Sequence, residues 1–135
     1  MTSRLYLVHK IFGVLTVIAF IGTGQLLGRH YRIIYEGNYA VRMMFRSIHI
    51  YILLAGLMNI GIGTYMILSD RGWRRAAQIL GSICLLAAPP ILLYTFFSET
   101  RVENLERPFT LLAIVLLLIG TLLHLFSGSR SRARD

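Results

Sequence analysis

The stretch FTLLAIVLLLIGTLLHLF, residues 109–126, runs for eighteen residues without one charged side chain. At the rise of an α-helix that is about 27 Å, close to the ~30 Å of hydrocarbon in a bilayer. Three further stretches are similarly apolar, at residues 5–27, 48–68 and 76–97, with Lys10 as their one charged residue. The chain as a whole has 135 residues, 56% of them apolar and only 15% charged, which is too apolar for a soluble domain of this size. The fold class that follows is an all-α integral membrane protein, four transmembrane helices in an up-down bundle. The spans leave room for one domain only, residues 1–135, ending in a basic tail at 127–135.

The first span could be read as a signal peptide, since Arg4 precedes it and Gly22, Thr23 and Gly24 are small. Against this, His9 and Lys10 interrupt the boundary, no A-x-A pattern follows, and the stretch is long enough to cross. An uncleaved helix is expected. Lys and Arg set the orientation: with four spans, eight of the fourteen fall on the side of the termini and six on the other. That favours cytoplasmic termini, in what reads as a bacterial inner membrane.

A net charge of +8 invites a nucleic-acid reading, but the arginines are spread over both faces instead of forming one stripe. Anchoring to anionic headgroups explains them better. The single cysteine, Cys84, lies in a span and can form no internal disulfide. The longest loop carries Tyr31, Tyr35 and Tyr39 at four-residue spacing, which suits a membrane boundary, and Gly37-Asn38 reads as a turn. The second helix is therefore expected to start early, near Tyr39. Pro108 stands where a fourth helix can begin.

All six carboxylates fall in loops or the tail, so no intramembrane acid is available to relay protons or bind a coupling cation. This weighs against a small transporter. There is no Cys-x-x-Cys, H-E-x-x-H, nucleophile elbow or phosphate loop to support hydrolytic or thiol chemistry.

What remains is histidine. His9 and His124 lie about a turn inside matching ends of the first and fourth spans, while His30 closes the first span and His49 opens the second. Two pairs at two depths is what two bis-histidine haems would require. On the second helix Arg42, Arg46, His49, Leu53, Gly56, Ile60 and Gly63 fall on one stripe. Glycines below His49 could clear room for a flat macrocycle, with Arg42 or Arg46 reaching its propionates; equally, they could admit a neighbouring helix. The first helix has the stripe His9, Gly13, Thr16, Phe20, Thr23 and Leu27, and the fourth has Thr110, Ala113, Leu117, Gly120 and His124. Both stripes are expected to face the bundle interior. Asn59 is expected to bond between helices, and Pro89 and Pro90 to kink the third helix and free carbonyls near Leu85 and Leu86.

Four short helices with histidines near both faces, and glycines on the same stripes, resemble the membrane-bound b-type cytochromes of the four-helix kind. The resemblance covers the plan of the whole chain and rests on no specific motif. It implies haem b held between helices and electrons exchanged with quinone or a larger membrane complex. Carried over residue by residue, it implies only His9, His49 and His124 as metal ligands; the helical stripes add Arg46, Gly13 and Gly56 as candidate cofactor-site residues. The alternative is a non-catalytic accessory or assembly subunit in which these residues only organise packing. A homo-oligomer is compatible with either.

Overall fold

The computed structural model describes residues 2–29, 38–69, 72–101 and 106–128. His30, Tyr31, Tyr35 and Gly37 of the long loop, and residues 129–135 of the basic tail, lie outside the described residues. Among the described residues there are four helices, α1 (Thr2–Arg29), α2 (Tyr39–Tyr65), α3 (Gly72–Ser98) and α4 (Pro108–Gly128), with a 3-10 turn at Glu99–Arg101. Each is long and apolar enough to cross a membrane, and each contains most or all of an expected span. The chain is an all-α four-helix membrane protein.

The ends of α2 follow from local chemistry. Asn38 caps its start by accepting a hydrogen bond from the Val41 amide, so the helix does begin at Tyr39. It ends at Tyr65, three residues short of the expected boundary at residue 68. Met66 turns extended there, and Gln78 of α3 holds the following segment by donating to the Ile67 carbonyl and accepting from the Ser69 amide. The hydropathy of Met66, Ile67 and Leu68 had suggested that the helix continues. Pro108 occupies the first position of α4, as its missing N–H allows.

Successive helices run antiparallel. Gly13 meets Gly56 and Ile60, Asn59 meets Leu85, and Ser82 meets His124. The start of α1, the end of α4 and the α2–α3 connection therefore share one end, here the terminal face. Two tight seams join α1 to α2 and α3 to α4. A methyl group on Gly13 would stand 2.8 Å from the Gly56 carbonyl oxygen, and one on Gly120 would stand 2.8 Å from the Gly81 carbonyl oxygen. The backbones touch where side chains would otherwise keep them apart.

Between the seams, Phe45, Ile48, Ile52 and Ala55 of α2 pack on Leu85, Ala88, Leu92 and Phe96 of α3, with Ala113 and Leu117 of α4 alongside. This is a correction to the single stripe expected on α2. The helix is buried on two faces, Gly56 and Gly63 toward α1 and the residues from Phe45 to Asn59 toward α3, while Arg42 and Arg46 are exposed. The stripes on α1 and α4 do face inward, with His9, Gly13, Thr16 and Thr23 buried on α1 and Thr110, Ala113, Leu117, Gly120 and His124 on α4. Outward-facing Ile11, Ile18, Ile50, Leu57, Ile83, Leu118 and Leu125 form the apolar exterior that a bilayer requires.

Candidate functional site

The site starts from Pro89. A proline has no amide hydrogen, so the helical bond to the carbonyl four residues earlier, at Leu85, cannot form. The structure fills that place from outside α3: the Asn59 side-chain nitrogen donates to the Leu85 carbonyl at 2.9 Å. Its second hydrogen goes to the Ala55 carbonyl, also at 2.9 Å. With both hydrogens committed, Asn59 Oδ1 is left as an acceptor, and it lies 2.7 Å from His9 Nδ1. His9 must then carry its proton on Nδ1, which leaves a lone pair on Nε2.

That nitrogen is one of two buried side-chain nitrogens without a hydrogen-bond partner among the described residues. His9 is 0% exposed, and Nε2 is buried without a hydrogen-bond partner. Beside it stands His124 of α4, 8% exposed, with ring centroids 6.2 Å apart and planes at 84°. His124 Nε2 lies 3.2 Å from the Ser82 hydroxyl of α3. The centre thus takes one polar side chain from each helix: His9, Asn59, Ser82 and His124. The sequence places His9 and His124 at a common depth, and the structure brings their rings together.

His49 is held differently. Thr23 donates its hydroxyl hydrogen to the Phe20 carbonyl at 2.9 Å and so accepts from His49 Nδ1–H at 3.0 Å. Phe20 stacks on the imidazole at 4.1 Å between centroids, and Gly24 leaves room for its edge. These partners all come from α1, and His49 is only partly buried. Gly13 and Gly56, for which two roles were open, lie against each other in the α1–α2 seam, where the neighbouring helix takes up the space. Arg46 is exposed at the end opposite the terminal face.

One carboxylate in a connection between helices is buried, which its place in the sequence does not reveal. Glu99, 8% exposed, accepts from the Phe109 and Thr110 amides at 2.8 and 3.1 Å and so caps α4. Nearby Arg107 donates to the Ser47 hydroxyl at 3.4 Å. Burial pulls the Arg107 guanidinium below its ordinary range, and the negative charge of Glu99 works against that. Pro108 signals a helix start that needs a cap, but its partner sits nine residues earlier, beyond any local pattern.

Among the described residues no three His, Cys, Asp or Glu side chains gather to hold a bare metal ion. What gathers is a pair of imidazoles. Such a pair suits an ion that brings its own equatorial ligands, as haem iron does. No family model, curated protein or solved structure matches this chain.

Proposed function

We propose that this chain is a small b-type haem protein of the membrane that passes single electrons, in which His9 and His124 would hold the haem. The observation that carries the reading is the buried, unpartnered Nε2 of His9, whose lone pair is held in place by a Nδ1–H donated to Asn59. A metal-binding histidine typically donates its other ring nitrogen in this way. An unpaired polar atom inside an apolar bundle otherwise costs a few kcal/mol, about 1–3 by protein mutational data.

The two imidazoles that would hold the haem come from α1 and α4, with ring centroids 6.2 Å apart. Haem would supply a one-electron iron couple whose potential answers to its axial ligands and to burial. The residues of this chain would hold the imidazoles, fix the His9 tautomer and keep water out. Electrons would be exchanged with quinone or a partner complex in the same bilayer. The excess of Lys and Arg on the terminal side supports cytoplasmic termini in a bacterial inner membrane.

Detergent-purified protein from haem-replete cells tests this. A Soret band and a sharp alpha band on reduction are expected, absent from His9→Ala and His124→Ala and kept by His49→Ala. A colourless wild type, or bands indifferent to both alanines, would refute it. The second reading, an accessory or assembly subunit, draws on the glycine seams, which serve helix packing alone. It predicts the colourless preparation.

A further inference from the structure

Arg74 lies in the first turn of α3, at the terminal face, and is only 8% exposed. Its guanidinium stands 5.4 Å from the centre of the Trp73 ring, and its Nε is buried without a hydrogen-bond partner. The described carboxylates, Glu99 and Glu106, both belong to the opposite end of the bundle, so neither can neutralise it. A guanidinium whose Nε–H is buried without a partner calls for an anion.

The backbone points the same way. The first amides of a helix lack intrahelical partners and carry the positive end of its dipole, and the first turn of α3 contains no acidic residue. Helical side chains lean toward the N-terminus of their helix, so the guanidinium and these amides address the same volume. Exposed Trp73 and Arg75 flank it, residue types that mark the headgroup level of a membrane.

We propose that Arg74 and the first turn of α3 bind the phosphate of one anionic phospholipid, independently of the histidine pair. The ligand chemistry is a phosphodiester anion, and the depth of the site at a helix end favours a lipid over soluble phosphate.

Native mass spectrometry of the full chain in detergent, with phosphatidylglycerol or phosphatidylcholine added, tests it. One phosphatidylglycerol is expected to be retained in preference to phosphatidylcholine. Arg74→Gln should lower that retention about tenfold, and Arg75→Gln less than about twofold. Arg74→Lys keeps the charge but loses Nε, and should fall between wild type and Arg74→Gln; it carries the test if Arg74→Gln does not fold. Asp70, four residues earlier in sequence, is probed with Asp70→Asn, which should leave retention unchanged. The proposal is overturned if Arg74 variants retain lipid like wild type, if the two lipids bind alike, or if Asp70→Asn raises retention about tenfold, which would make Asp70 the partner of Arg74. Displacement of the lipid by millimolar inorganic phosphate would reassign the site to a soluble anion and overturn the lipid assignment.

Discussion

His9 and His49 are both imidazoles whose Nδ1–H is donated to a neighbouring helix, yet they occupy different kinds of place. His49 sits inside one helix pair, bonded to Thr23 and stacked on Phe20, with part of its surface open. His9 sits where four helices converge: its proton goes to Asn59 of α2, which in turn holds the Leu85 carbonyl of α3, and His124 of α4 stands beside its ring. A histidine within a seam finds its partners locally. One at the junction of all four helices ties them together and is left with a buried nitrogen that none of the described residues satisfies. Only the second arrangement has a free donor atom to offer a ligand inside the bundle.

Substitutions can break this contrast, and the largest effect should come from its hinge, Asn59. Asn59→Leu strands His9 Nδ1–H and the Leu85 carbonyl together, and at ~1–3 kcal/mol for each buried polar group it should destabilise the bundle by about 3 kcal/mol. Detergent unfolding would measure this, and a loss below ~1 kcal/mol would mean that His9 is not held through Asn59. Next comes the seam. Gly13→Ala puts a methyl group against the backbone of α2 and should cost about 2 kcal/mol, whereas Gly22→Ala, with open space around it, should stay within ~0.5 kcal/mol. Equal effects at the two glycines would deny that the seam is set by contact.

Glu99→Gln removes the charge that caps α4 at the end of the bundle opposite His9 and His124, and should cost about 1 kcal/mol while leaving any haem spectrum unchanged. A spectral change would tie that end of the bundle to the histidine pair. The smallest effect belongs to His49: Thr23→Val should cost under ~1 kcal/mol, because a single interhelical side-chain hydrogen bond in a membrane is worth about 0.6 kcal/mol on average. A loss as large as that of Asn59→Leu would erase the distinction between the two sites.

The fold was legible because hydropathy acts along a continuous stretch: each helix needs a run of apolar residues, and the runs stand in the sequence as such. The inward faces of α1 and α4 were legible for a similar reason, since polar and small residues recur at helical spacing on one side of an apolar rod. α2 misled because it is buried on two sides, toward α1 and toward α3, and no single stripe describes it. The role of the glycines stayed open because the same absence of a side chain admits a ring or a helix; only the partner's position decides.

The chain from Pro89 to His9 was half visible. A freed Leu85 carbonyl and an Asn59 bonding between helices could each be expected, but that they meet is a fact of tertiary packing. Glu99 and Arg74 were missed because both lie at helix ends, where a charged residue in sequence looks solvated. Burial there depends on which neighbouring elements close over it.

The most direct test of the central claim is the low-temperature electron paramagnetic resonance spectrum of the oxidised, purified protein. Two imidazoles on one iron predict a low-spin ferric signal in wild type and His49→Ala, converted to high-spin or lost in His9→Ala and His124→Ala. A wild type without a haem signal, or a low-spin signal that survives the removal of both His9 and His124, would contradict it.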